Sequence, residues 1–389
     1  MGIYDVESGK TSKLKKAYVV ENGKTVKLKK AYVVENGKLA KLWSSFTPNI
    51  ACFLDKSPFV ASVSDDGTEW QESATIPRWI ESAVSVDGVL YGIAEYYTGA
   101  GAGPYTWYLY VSYDRGMTWT QKSSGQGAGT YLLRYLDGKI FIVGATHTYN
   151  NIWYSSDLGA TWTARKMSVT STAPTGSTVE LKEGAKPIDF RYGKVGSFTG
   201  YFLYIHQRNE SQTAYVYRFS SMYFSDGQFV GGSSYNVFNC NKGALSIKDG
   251  VLRVIQSYYS SGVTYCRKIP DSSSCGTVVK SFSMFLGAVA SNENYIVGTM
   301  GDTCFKFDGE TATQGGSVGS QLLSPNVGSY YINTFTAAFV GERVYAFKTD
   351  ASKCYMMYSD NYGSSWTIVK IKDSAQYCYA VSAVDYNYV

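Results

Sequence analysis

Apolar runs along this chain are short and are broken by tight-turn dipeptides, which predicts strands throughout. The bends fall at Asp87-Gly88, Asp137-Gly138, Tyr192-Gly193, Asp249-Gly250, Glu293-Asn294 and Gly341-Glu342. An apolar stretch follows each, such as Val89 to Ile93 or Lys139 to Val143. Their spacing of roughly 45 to 60 residues suits a unit of four antiparallel strands. Six bends give six units. The chain ends, however, on Tyr379 to Val389, which reads as inner strands with no outer hairpin after them, while residues 51 to 75 read as an outer hairpin with no inner strands before it. Joining the two ends makes a seventh unit, and such closure removes both free sheet edges. The expected units are 51–75 with 376–389, then 78–122, 129–168, 187–235, 243–282, 285–320 and 335–372. Six remains the competing count.

A different pattern occupies the front of the chain. Lys13 to Lys24 recurs with the same letters at 27 to 38, and Tyr4, Val6, Glu7, Gly9 and Lys10 form a degenerate third copy fourteen residues earlier. Asn22-Gly23 and Asn36-Gly37 are type I′ hairpin signals. Val26, Leu28, Tyr32 and Val34 share one strand parity, and Lys27, Lys29, Val33 and Glu35 the other. The expectation is a small β-meander with one apolar stripe, interrupted by Lys16 and Lys30, that buries too little to be stable alone.

Within the predicted units one eight-residue turn recurs four times. It reads Val63 to Trp70, Ser112 to Trp119, Ser155 to Trp162 and Ser359 to Trp366. The repeated positions are Asp65, Gly67 and Trp70; Ser112, Asp114, Gly116 and Trp119; Ser155, Asp157, Gly159 and Trp162; Ser359, Asn361, Gly363 and Trp366. A carboxylate or amide can accept the next backbone N–H groups, glycine can take positive φ, and tryptophan opens a strand that packs the turn. Phe224 to Phe229 and Phe307 to Glu310 are shortened remnants. The motif resembles the Asp-box of sialidase-like β-propellers. That resemblance implies an all-β, seven-bladed (alternatively six-bladed) propeller with terminal-strand closure at 46–389, preceded by the meander at 1–45. In that family the box lies on the face away from catalysis.

Charge separates the same two regions. Of 36 Lys and Arg and 31 Asp and Glu, residues 1–43 hold ten Lys and four acids, so the remainder balances at −1. The Lys-rich, Asn-Gly-punctuated repeat resembles N-terminal segments of tail and other virion proteins of bacteriophages, which implies an end held by other virion proteins and working as a homo-oligomer. No arginine or base-stacking platform accompanies these lysines, so nucleic acid is not the expected partner. Met1 to Val6 lacks the apolar core of a secretion signal, and no apolar run reaches a membrane span, so no membrane insertion is expected. Seven cysteines without CxxC spacing read as reduced and buried, a Cys266–Cys275 hairpin disulfide being the alternative.

If bends and boxes share one face, the opposite face is built from long aromatic loops. Its candidate binding residues are Trp79, Tyr96, Tyr97, Tyr105, Tyr149, Tyr258, Tyr259, Tyr330 and Tyr331. Tyrosine offers a flat ring and a hydroxyl at low entropy cost, which suits sugars or protein surfaces. Against that stands simple surface filling by a chain with 35 Tyr. The sialidase arginine pattern is missing: no Arg precedes Arg78, Ile76-Pro77-Arg78 runs in the wrong order, and Arg267-Lys268-Ile269-Pro270 carries an extra residue. Glu81, Glu95, Asp189 and Glu210 are loop or strand-end acids that could serve a paired-carboxylate glycosidase but read first as solvated surface groups, and no metal, cofactor or catalytic residue is expected. The sequence therefore points to a non-enzymatic tail-fibre or baseplate-associated protein, located in the virion, that binds host-surface glycan or protein. A head-decorating or structural fibre and a glycosidase are the alternatives.

Overall fold

In the computed structural model the chain divides into two compact units, Met1–Pro48 and Asn49–Val389. The structure describes residues 58–64, 69–97, 105–127, 129–145, 150–169, 186–206, 214–232, 242–258, 262–270, 277–283, 288–300, 303–317, 335–340, 343–349, 354–372 and 380–385, with the backbone of strands 4–7, 10–13, 17–21, 24–28, 30–35, 38–44 and 50–54.

In the first unit Tyr4–Glu7 pairs with Lys10–Lys13, Ala17–Glu21 with Lys24–Leu28, and Lys30–Glu35 with Lys38–Ser44. These are three separate two-stranded sheets, which corrects the expected meander. The pairs Glu7 with Lys10, Glu21 with Lys24 and Glu35 with Lys38 end the three ladders. The strand parity proposed across residues 26–34 is broken, because Lys24–Leu28 and Lys30–Glu35 belong to different hairpins.

Described strands of the second unit form seven four-stranded antiparallel sheets. Sheet 1 joins the chain ends, its order being Ala380–Asp385, Ile50–Leu54, Ala61–Ser64 and Gln71–Glu72. The other six run in sequence order from an inner to an outer strand. Their inner strands are Ser82–Val86, Gly129–Leu136, Lys186–Val195, Lys242–Lys248, Ala288–Ser291 and Phe335–Val340 for sheets 2 to 7. Each inner strand lies beside that of the next sheet, and Ala380–Asp385 lies beside both Phe335–Val340 and Ser82–Val86, so the series closes into a ring.

The turns explain where inner strands stop. Asp87, Asp137 and Asp249 take φ of 49°, 48° and 52°, and Gly88, Gly138 and Gly250 follow at 79°, 72° and 75°. Two successive positive φ values are the signature of the type I′ loop, whose twist matches its flanking strands. Tyr192-Gly193 is not such a turn. Both residues pair within a strand, Tyr192 with Tyr201 and Gly193 with Gly200, and the reversal comes at Gly196 with φ of 57°. Gly341-Glu342 lies outside the described residues.

Apolar clusters fill the spaces between consecutive sheets. Phe53 and Val63 of sheet 1 meet Leu90, Tyr110 and Trp119 of sheet 2. Trp107 and Leu109 meet Leu133 and Ile142 of sheet 3, and Phe141 and Ile152 meet Phe190 and Leu203 of sheet 4. Phe202 and Val216 then meet Leu245 and Val254, and Ile255 and Cys266 meet Phe305 and Phe307. Full burial of one such side chain is worth about 1.5–3 kcal/mol. The core is therefore distributed between the sheets.

Three boxes lock these junctions with one hydrogen-bond scheme. Ser112 Oγ donates to Asp114 Oδ1 at 2.8 Å and accepts Gly116 N at 2.8 Å; Asp114 Oδ1 accepts Thr118 N and its Oδ2 accepts Thr118 Oγ1. Ser155, Asp157, Gly159 and Thr161 repeat these contacts. Ser359, Asn361, Gly363 and Ser365 do so again, with the Asn361 amide donating to Ser365 Oγ. Positive φ occurs at the glycine and also at the residue before it, Arg115, Leu158 and Tyr362. Each glycine seats against the preceding sheet, where a Cβ on Gly159 would lie 2.5 Å from Leu109 Cδ2. The turn at Asp65 and Gly67 lies outside the described residues, though Trp70 that follows is described.

Candidate functional site

In sheets 2 to 7 the first-to-second-strand and third-to-fourth-strand turns leave at one rim, so the second-to-third-strand loops and the connectors between sheets gather at the other. The connector best placed to build something there is Ser73–Glu81, between sheets 1 and 2. Its course is pinned by backbone bonds from Ala74 N to Met117 O, Ile76 N to Phe59 O and Glu81 N to Ile93 O, and by the buried side chains of Ile76 and Ile80. Between those anchors Arg78 and Trp79 stand half-buried.

The Arg78 guanidinium lies over the Tyr108 ring at 4.5 Å, a cation–π distance. Burial pushes the Tyr110 hydroxyl pKa up, and Arg78 offsets part of that through its charge and a hydrogen bond. Trp79 Nε1 is shielded yet has no hydrogen-bond partner among the described residues. An indole donor without an acceptor is costly in a dry site and useful where a ligand oxygen arrives.

Other candidates sit on the same rim by register. Tyr97 pairs with Tyr105 and Tyr96 with Thr106 on the last rungs of sheet 2, and Tyr258 pairs with Val263 on the last rung of sheet 5. Tyr149, Tyr259, Tyr330, Tyr331 and Glu210 lie outside the described residues. Glu81, at the end of the connector, and Glu95, on the strand Val89–Tyr97, are half-buried.

A second arrangement appears on the inner strands, and the sequence reading missed it. Asp189 is buried, which corrects its expectation as a solvated acid. Its Oδ1 accepts Arg134 Nη2 at 3.1 Å and Phe190 N at 2.9 Å; its Oδ2 accepts Arg191 Nε at 3.2 Å and Leu245 N at 2.9 Å. Burial alone would raise the Asp189 pKa, but the charges of Arg191 and Arg134 and the Leu245 N–H reverse this and hold it below the usual carboxylate range. Arg191 Nη2 also donates to Ser291 Oγ at 2.8 Å, and Ser291 Oγ donates to Leu245 O. One carboxylate thus ties sheets 3, 4, 5 and 6. The available sequence signal was the Asp-x-Arg step, which places both side chains on one strand face.

Other chemistry is sparse among the described residues. Cys266 and Cys304 are free and buried, and burial pushes each thiol up to about 12, far from a reactive thiolate. The Cys266 disulfide considered from spacing is not formed. No three His, Cys, Asp or Glu side chains among the described residues come together to hold a metal ion. No helix among them is long and apolar enough to cross a membrane.

No family model and no curated protein matches the chain. Solved structures do. A putative 6-phosphogluconolactonase from Bacteroides fragilis superposes with a TM-score of 0.54 over 86% of this chain and 97% of that one, at 10% identity. Apo AztD from Citrobacter koseri gives 0.50 over 87% and 98%, at 11% identity. The closed series of four-stranded sheets and these superpositions agree. The fold is a β-propeller. A GH74 enzyme from Niastella koreensis matches more loosely, with a TM-score of 0.45 over 87% of this chain and 54% of that one, at 16% identity. The expectation of a non-enzymatic chain is corrected: a structure described as a putative 6-phosphogluconolactonase shares this fold, so the propeller gives no ground for excluding an enzyme. Absence of the sialidase arginine motif argued against one chemistry only.

Proposed function

We propose that this propeller belongs to a bacteriophage particle and recognises a carbohydrate or protein of the bacterial surface through the rim opposite its boxes. Placement of the aromatic candidates carries this reading. Tyr96, Tyr97, Tyr105 and Tyr258, scattered in the sequence, lie on rungs at one rim, the connector Ser73–Glu81 carries Trp79, and the Trp79 indole N–H has no acceptor among the described residues. Flat rings with polar edges suit the faces of sugar rings. The Lys-rich hairpins of residues 1–43 are the proposed hold on neighbouring virion proteins, and several copies on one particle would multiply weak contacts.

The test uses fluorescently labelled full-length chain on host cells and on purified envelope polymer. Saturable labelling is expected, reduced at least tenfold by Trp79→Ala with the ring still folded. Unchanged labelling by that variant, or none on any permissive strain, removes the rim reading. Reducing sugar released from the same polymer would show that recognition is coupled to cleavage.

A further inference from the structure

We infer that the centre of the ring binds an oxyanion, with the guanidinium groups of Arg134 and Arg191 as its ligands. Distribution of charge over the fold is the first ground. Residues 49–389 carry 26 Lys and Arg against 27 Asp and Glu, so the ring as a whole is close to neutral. Its seven inner strands are not: they carry Arg134, Lys186, Arg191, Lys194, Lys242 and Lys248 against Asp189 and Asp385. A balance of +4 on the strands nearest the axis leaves −5 for the rest of the ring. A net positive charge on the strands nearest the axis favours anions there.

Stoichiometry at Asp189 is the second ground. Its four acceptor positions are filled by two backbone N–H groups and one N–H from each arginine. Two guanidinium groups therefore share one carboxylate, and one positive charge remains. Donors remain as well. Arg134 uses Nη1 on Leu133 O and Nη2 on Asp189, while Arg191 uses Nε on Asp189 and Nη2 on Ser291. Arg134 Nε and Arg191 Nη1 have no acceptor among the described residues, and the two side chains keep 25% and 30% of their surface exposed. A group with two or more acceptor oxygens matches the spare fork, so the ligand class is carboxylate or phosphate. Such a group could be free or borne on a polymer. Asp189 positions the pair and does not compete for the ligand, since its own oxygens are saturated.

This site does not depend on the rim reading. Calorimetric titration of the full-length chain with inorganic phosphate and with glucuronate, against sodium chloride at matched ionic strength, tests it directly. One saturable site per chain is expected, together with a rise in Tm beyond the chloride control. Arg191→Gln should weaken binding at least tenfold, and Arg191→Lys, which keeps the charge without the fork, should fall between. Trp79→Ala should leave the titration unchanged. No saturable binding of either anion to the wild-type chain overturns the inference. So does equal affinity in wild type and folded Arg191→Gln or Arg191→Lys. Polygalacturonate bound while both free anions are ignored also overturns it, because the chain would then be gripping sugar elsewhere.

Discussion

Sheets 2, 3 and 7 close onto their predecessors with a full box, whereas sheets 4 and 6 keep its carboxylate, Asp226 accepting Ser220 N and Asp308 accepting Glu310 N and Thr311 N, and fill the junction with single side chains. In a box the serine hydroxyl and the Asp or Asn side chain consume the turn's N–H groups, and a bare glycine slots under the neighbour's aliphatic residue. At sheet 4 the remnant also keeps a positive φ, at Phe224 with 53°, and that ring fills the junction with Phe141 and Phe219. At sheet 6, Gly309 still turns with φ of 103°, but what lies beneath it is the buried Arg253 of sheet 5. Arg253 donates to the carbonyls of Asp308, Glu293 and Asn294. Geometry at the junction is therefore more constrained than the residues that satisfy it. A repeat can fade from the sequence without fading from the fold.

The largest effect that would break this comparison lies in the boxless half. Asp189→Ala leaves two inner-strand arginines and the Leu245 N–H without their acceptor, and removing one partner of a buried ion pair costs about 3–5 kcal/mol. Urea denaturation should show it as a lower midpoint. Arg253→Ala comes next, at about 2–4 kcal/mol, since three carbonyls lose a charged donor and a cavity opens. Arg253→Met should cost less than Arg253→Ala by thermal melting, as it refills the space. Equal losses would mean that packing contributes nothing at this junction. In the boxed half, Gly159→Ala forces a Cβ against Leu109 and holds alanine at φ of +88°, a strain of about 1–3 kcal/mol.

Much of the ring was legible because turn chemistry is local. Asp-Gly at 87, 137 and 249 and the Ser-x-Asp-x-Gly letters at 112 and 155 specify their own backbone, and they set the register of the sheets around them. The split sheet was legible too, since Ala380–Asp385 follows the last four-stranded sheet with no partner beside it and Ile50–Leu54, paired with Ala61–Ser64 on one side, keeps a free edge until the ends meet. What sequence hid is non-local. Tyr192-Gly193 has turn letters but lies inside a long hairpin whose ladder overrides them. Asp189 looked like any surface acid because its partners sit 55 and 56 residues away on other strands. The meander failed for a related reason: the repeat letters fix each hairpin and say nothing about pairing between hairpins.

The smallest predicted effect separates the boxes from one another. Thr161 and Ser155 bonds hold Asp157 well below the usual carboxylate range; Asp114 is also lowered, its Thr118 and Ser112 bonds outweighing burial. A depressed folded pKa contributes stability that is present above the unfolded value near 4 and is lost as pH falls through the folded one. The boxes of sheets 2 and 3 should therefore loosen in acid. That of sheet 7 cannot take part, because Asn361 makes the equivalent contacts with an amide that does not titrate there. Asp114→Asn with Asp157→Asn should accordingly flatten the fall of Tm between about pH 4 and pH 2, while changing Tm at pH 7 only slightly. Asp189 and Asp308 contribute to the residual slope, since the pKa of each is lowered too. A double variant with the wild-type acid slope would show that box carboxylates act through shape alone, and Asn361 would then be equivalent to Asp114 and Asp157 in every respect that folding detects.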